Sequence, residues 1–450
     1  MAVALNVWMN GLLVGIWEQN NLGVGSFQYD SDWIASEFSR PLSNSLQINA
    51  NQAIIKGDEV TNYFDNLLPD STEIRKRIQS KYKTKSAGTI ELLEAIGRDC
   101  VGAVQILPIG DVPVDYNKIN SKPLNESEIA EILIAASSGR VLGQDIDEDN
   151  FRISIAGAQE KTALLNVNGV WHLPSKATPT THILKLPLGL IGGEHKYDMT
   201  TSIENEWLCA KILDKLGFKT AKTEIATFAG TKALVVERFD RKWVANNSWI
   251  ARIPQEDFCQ IFGLPSDKKY EDKGGPSIAE IMKYLTASEN ADADKLHFIK
   301  SQFVFWLLAA IDGHAKNFSV SIDVGGQFKL TPLYDVLSAW PVIGNAANQI
   351  QYKKAELAMA IRTKNAHYQI DKILPRHWEE FTKKLGVPNA YEEMQDVANN
   401  IINAIDSIYQ ELPEGFPIAL IDSIRSGVKK HLDRFAFQDI KNTSHNNTLN

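Results

Sequence analysis

The sequence predicts an α+β protein built from three stretches of different pattern, and three observations predict it. Residues 1–148 mix a hairpin signal with amphipathic helix patterns. Residues 149–252 are short β-rich runs separated by turn residues, with one helix among them. Residues 253–438 read mostly as helices. Residues 439–450 are poor in apolar side chains and are expected to be a disordered tail.

The elements follow in order. Asn10-Gly11 lies between the apolar runs VALNVWM and LLVGIW, a strong two-residue hairpin signal. The same stretch lacks a basic leader and a small-residue cleavage site, so it reads as a hairpin and not as a signal peptide. Pro69-Asp70-Ser71 opens a helix, with Ser71 as its cap and Ile74 and Ile78 on one face. Residues 124–137 carry a second helix pattern, followed by the acidic loop DIDED. Then come FRISI, TALLNV, VWHL, THILKL and KALVVERF, all strand-like. The helix TSIENEWLCAKILDKLG interrupts them, with Thr201 and Glu204 expected to form a capping box and Gly217 to close the helix. A long apolar helix near 297–311, a hairpin across Gly325-Gly326 and further helices to about 436 complete the chain.

Composition excludes several function classes. At 450 residues the chain has length for two to three domains, and 44% apolar with 23% charged residues is the mix of an ordinary globular protein. Lys+Arg is 47 and Asp+Glu 55, a formal charge of −8, so any nucleic-acid contact must come from a local patch or a partner. Cys100, Cys209 and Cys259 are far apart, which excludes a disulfide framework, a CxxC redox pair and a cysteine-rich zinc site and fits a reducing cytoplasm. No apolar run reaches the ~20 residues of a membrane span.

A β-rich lobe followed by a helical lobe is also the chain order of protein-kinase-like folds, and individual residues sharpen that analogy. In THILKLP both faces of the strand are mostly apolar, so Lys185 is expected to be buried, and a buried lysine needs an anion. Phosphoryl-transfer enzymes set such a lysine on nucleotide phosphates and hold it with a helix glutamate. Glu206, on the stripe Ile203–Glu206–Ala210–Leu213, is the candidate partner. The bland alternatives are an edge lysine reaching water and a border glutamate. The ALVVERFD strand end could offer main-chain groups at Glu237 and Phe239 to an adenine ring. In DGHAKN the spacing from Asp312 to Asn317 matches the kinase catalytic loop, where the Asp takes a hydroxyl proton and the Asn binds Mg²⁺. Asp335, in LYD, could supply a second Mg²⁺ ligand. The alternative for Asp312-Gly313 is a plain helix-ending turn. SIAGAQEKTALL occupies the place of a phosphate loop with a single glycine, and Gly23-Val24-Gly25 carries no functional weight. HExxH and GxSxG are absent, which disfavours zinc protease and serine hydrolase chemistry.

At these residues the chain resembles the HipA family of serine/threonine kinase toxins. FRISIAGAQEKTALL, PTTHILKLP, ENEW, VERFDR, PQEDFCQIFGLPS, DGHAKNFSV and LTPLYD resemble family segments in family order, as do LLPDS and IGRDCVGAV nearer the N-terminus. The resemblance spans residues 1–435. It implies a two-lobed protein-kinase-like core with an additional N-terminal α+β subdomain, use of ATP and Mg²⁺, and phosphorylation of serine. It implies a complex with a HipB-like helix-turn-helix antitoxin dimer, operator DNA bound mainly through that antitoxin, and a cytoplasmic protein substrate such as glutamate–tRNA ligase. By motif, Asp312 would be the proton acceptor. Ala156, Gly157, Ala158, Gln159, Glu160 and Lys161 would cover the phosphates, with Lys185 holding them. Glu237, Arg238 and Phe239 would face adenine, and His314, Ala315, Lys316, Asn317, Tyr334 and Asp335 would complete the nucleotide site. Asn317 and Asp335 would hold Mg²⁺. Ser154 matches the family's self-phosphorylated serine; the bland alternative is a small polar strand residue.

A basic stretch that touches DNA in the family falls at Lys383–Gly386, where Lys383 and Lys384 are candidates and Gly386 stands in place of a basic residue. The alternative there is a solvated helix face. A second basic cluster, Arg425, Lys429, Lys430 and Arg434, reads as surface. Two competing functions remain: a kinase-fold enzyme for a small molecule, and a non-catalytic co-repressor.

Overall fold

Asn10 and Gly11 take left-handed φ of 47° and 86°, the backbone a tight hairpin needs, and join the strands Val3–Met9 and Leu12–Gln19. The computed structural model describes residues 3–446 apart from 50, 52, 139–153, 155, 156 and 158. The division read from sequence follows element type, whereas packing groups the chain into two compact units. One comprises residues 1–186, 226–269 and 318–331; the other comprises 187–225, 270–317 and 332–450.

In the first unit the hairpin joins a five-stranded sheet, in the order Ile55–Lys56, Gly25–Tyr29, Leu12–Gln19, Val3–Met9, Val104–Pro108. Its core is aromatic: Trp17 stacks on Phe64 at 4.0 Å, with Phe27 and Tyr63 beside them. Ser71 caps the Thr72–Tyr82 helix through Ile74 N, as its position before the apolar stripe predicts. A six-stranded sheet runs in the order Thr223–Phe228, Thr231–Glu237, His182–Lys185, Lys161–Val167, Val170–Pro174, Ser121–Pro123. The Glu126–Ser138 helix covers one face of it with Ile129, Ile132 and Leu133 against Leu164, Leu184 and Val235. The hairpin across Gly325-Gly326 forms as expected, both glycines at positive φ, and pairs Ser319–Ile322 with Phe328–Leu330.

The second unit is built on the Ala291–Leu307 helix, whose Phe303 and Trp306 pack on Trp378, Phe435 and His431 from later helices. A hairpin of Glu356–Arg362 with Ala366–Gln369, unforeseen in the sequence, lies within this helical stretch.

Two local expectations are corrected. Thr201 does precede the Ser202–Lys215 helix, but its ψ of 21° turns the backbone out of the extended form a capping hydroxyl needs, and no side-chain cap forms. The Ser202 hydroxyl instead accepts from Leu188 N at 2.9 Å, while Gly217 takes its left-handed terminating role. The last helix runs Ile418–Asn446, so the tail expected to be disordered from 439 is helical to Asn446. Once its apolar positions between 420 and 435 are packed, extending a helix adds one hydrogen bond per residue ordered.

Candidate active site

In the second unit the Ala291–Leu307 helix stops where Ala309 takes a φ of 47° and Ala310 N donates back to Phe305 O at 2.8 Å. Gly313 follows against the Phe305 ring, where a β-carbon would collide, so this glycine is required by close packing. Asp312 is thereby left exposed, while His314, Lys316 and Asn317 are buried. The Asn317 amide works in two directions: its Oδ1 accepts from His314 N at 3.2 Å, and its Nδ2 donates to Asp335 Oδ2 at 3.4 Å. The structure therefore brings Asn317 and Asp335 together.

Asp335 sits at φ 60°, a left-handed conformation that costs a non-glycine residue of the order of 1 kcal/mol and persists where neighbours over-determine it. Those neighbours are visible. Leu333 N donates to Lys219 O, Tyr334 Oη to Lys316 O, and Ser338 Oγ to Leu308 O. Tyr270, missed in the sequence, donates its hydroxyl to Asp312 Oδ1. The only sequence signal for it was position within KKYED, forty-two residues before its partner.

In the first unit Lys185 is 5% exposed on a strand flanked on both sides, which removes the edge-lysine alternative. It registers with Leu234 on one neighbour and Lys161 on the other. Residues directly opposite in an antiparallel pair share a face, so two lysines stand side by side, an arrangement that favours an anion. Gly157 sits at φ 109°, a backbone conformation that favours glycine, close to Lys161 Nζ. Gln159 Nε2 donates to Leu186 O at 2.7 Å, and Glu160 pairs with Arg77.

The loop is held from the N-terminal side. Ser154 is fully buried, with its hydroxyl donating to Leu67 O at 2.7 Å and its N–H to Asp99 O. Gly157 O accepts from Asp70 N. The LLPDS and IGRDCVGAV segments are thus the seat of this loop.

Asp99 also centres a buried ionic hub that sequence reading missed. Its carboxylate meets Arg241 at 2.9 Å, Arg252 at 3.1 Å and Arg238 at 3.3 Å, and accepts from Thr180. Asp240 completes the hub against Arg238 at 2.8 Å. Burial pushes the Asp99 carboxyl upward, but Arg241, Arg252 and Arg238 outweigh it and hold the group well below the usual carboxylate range. Burial, then neighbouring Arg238, pushes Arg241 down to about 10. The Arg238 guanidinium belongs to the hub, and its backbone N–H donates to Thr181 O. The density of charge in VERFDR, at the end of an apolar strand, was the available signal.

The remaining expected residues fall as follows. Glu206 is buried on the Ser202–Lys215 helix of the second unit, with Ile203 and Leu213 of its stripe. Glu237 ends its strand exposed, Phe239 is half-buried and Ala315 is buried. Lys383 and Lys384 are exposed at the end of the Pro375–Leu385 helix, Lys383 pairing with Glu379 and Lys384 Nζ donating to Thr363 O. Gly386 closes that helix at φ 65°. Ala156 and Ala158 lie outside the described residues. Asn317 and Asp335 carry the oxygen types that hold magnesium, with the Asn317 Nδ2 toward Asp335 and its Oδ1 toward His314 N in this structure.

Comparison with known proteins places this geometry in context. The model of the HipA N-terminal domain matches residues 5–107, and that of the HipA-like C-terminal domain matches residues 153–409. "Putative kinase Y4mE" of Sinorhizobium fredii is 31% identical over 407 residues, covering 90% of this chain and 89% of its own. The serine/threonine-protein kinase toxin HipA of Shewanella oneidensis is 25% identical over 398 residues, 86% of this chain and 84% of its own. The solved structure of Shewanella oneidensis HipA with HipB and operator DNA shares the fold, with a TM-score of 0.77, 22% identity, and coverage of 96% of this chain and 97% of that one. Among the described residues no helix is long and apolar enough to cross a membrane.

Proposed function

The chain belongs to the HipA family, and from that premise we propose that it is an ATP-dependent serine/threonine protein kinase, the toxin of a toxin–antitoxin pair. The observation that carries the reading is the meeting of Asn317 with Asp335, on the loop whose Asp312 is exposed. Asp312 accepts the proton of the attacking serine hydroxyl. Lys161 and Lys185 face the phosphates of ATP. Asn317 and Asp335 would hold Mg²⁺, which supplies charge neutralisation along the phosphates when bound. The adenine lies by the main chain of residues 237–239.

The substrate is a cytoplasmic protein, glutamate–tRNA ligase, and the enzyme also phosphorylates Ser154. Burial of Ser154 against Leu67 O leaves no room for a phosphate, which adds about −1.5 to −2 charge. Phosphorylation therefore unseats the loop and uncovers the nucleotide, and the transfer runs between molecules. The test is incubation of the chain with MgATP and purified glutamate–tRNA ligase, followed by phosphopeptide mass spectrometry. Phosphoserine on the ligase and on Ser154 is expected. An unmodified ligase with label elsewhere would overturn the substrate, and no transfer at all would overturn the kinase.

Lys185→Ala is expected to weaken MgATP binding about 10- to 100-fold, the worth of a hydrogen bond to a charged group. Calorimetric titration in magnesium checks it, and unchanged affinity would move the phosphates elsewhere.

With a HipB-like antitoxin dimer the protein acts as an operator-bound repressor, the antitoxin supplying most of the DNA affinity. Lys383 and Lys384 add phosphate contacts. Their joint replacement by alanine should reduce the log–log salt slope of operator binding by up to about 0.9 per lost contact while leaving kinase activity intact. A slope equal to wild type would mark a solvated helix face.

A further inference from the structure

We propose that Tyr270 is the positioning residue of the Asp312 carboxylate, an inference that rests on the kinase reading above. Its hydroxyl donates to Asp312 Oδ1. Asp312 is exposed, on a turn, and an exposed carboxylate explores several rotamers unless a neighbour holds it. A phenol orients the carboxylate through a hydrogen bond and brings no formal charge of its own.

The phenol is itself anchored. Its ring and the His314 ring meet in a T-shaped contact at 5.2 Å and 86°, and Lys273 Nζ lies 4.9 Å from its centroid. Its carbonyl accepts from Lys273 N at 3.0 Å and Gly275 N at 2.9 Å. The next residue, Glu271, is buried, accepts from Ala360 N at 2.6 Å and pairs with Arg362. Tyr270 is thus tied through Glu271 to the Glu356–Arg362 strand, and Asp312 inherits that rigidity. The serine oxygen bonds to the γ-phosphorus as the bond to the ADP oxygen breaks, and the serine proton passes to the Asp312 carboxylate.

Tyr270→Phe keeps the ring and removes the donor. The measurement is the initial rate of transfer from γ-labelled ATP, in magnesium, into the chain itself and into glutamate–tRNA ligase, with ATP titrated. The maximal rate is expected to fall on the order of tenfold, a usual consequence of a misaligned reacting group. The apparent KM for ATP and the thermal unfolding midpoint are expected to stay at wild-type values. Combined with Asp312→Asn, Tyr270→Phe should cause no further loss, since the two residues act as one unit. A full rate in Tyr270→Phe, with Asp312→Asn inactive, overturns the positioning role and leaves the kinase reading standing. A raised rate does the same, assigning the phenol as a block on the base. Equal fractional losses in both backgrounds also overturn it. Full activity in Asp312→Asn, or no transfer by the wild type, overturns the kinase reading and this inference with it.

Discussion

Replacing Asp312 by asparagine is expected to lower phosphoryl transfer by about 10²- to 10⁴-fold, the range supplied by a positioned general base. The change removes charge and basicity and keeps size. The substituted amide would still offer an oxygen to the Tyr270 hydroxyl, so the contact within the second unit survives. Asp312 is exposed, so the buried surroundings of the loop are untouched and the unfolding midpoint should match wild type. The measurement is label transfer from γ-labelled ATP beside a thermal melt. Transfer near the wild-type rate would show that the proton goes to another group, and a lowered melt with lost activity would show a structural residue.

Asp99→Asn should destabilise the first unit by about 3–5 kcal/mol, the usual penalty for breaking a buried ion pair from one side. Three guanidinium groups converge on the hub, and Asp99 meets all of them. Asparagine would leave those cations with Asp240 as their remaining carboxylate within the hub and would turn an amide donor toward guanidinium donors. Urea denaturation followed by tryptophan fluorescence reads the loss, and a change below about 1 kcal/mol would reduce the hub to the energetics of a surface pair. The pH dependence has a defined sign. The folded carboxyl of Asp99 is held below its unfolded value. Its stabilisation is therefore complete above the unfolded aspartate pKa of about 4 and is lost as pH falls through the lower folded value. The variant should lack that part of the acid limb.

Local chemistry was enough to read several features. Asn10-Gly11 can form a tight hairpin almost wherever it stands between apolar runs. Ser71 before an apolar stripe caps a helix using atoms within three residues. The loop DGHAKN carries its own geometry, because Gly313 must meet the helix it leaves and Asn317 folds back on His314 N. Lys185 was legible as buried because a strand with two apolar faces has no solvent side.

The features that escaped the sequence depend on distant segments. Thr201 failed to cap because its ψ is set by the turn that enters the helix. The Arg238 guanidinium turns to Asp99, 139 positions away. Tyr270 reaches Asp312 across forty-two residues, with no periodicity linking them. By itself the sequence determined the strand and helix patterns and the residue types that chemistry requires, since these follow from neighbours a few positions apart. Only the tertiary structure decided which carboxylate faces which arginine and which hydroxyl holds the base. Charge pairing and hydrogen bonding act over a few ångströms of space, and separation along the chain carries no record of that distance.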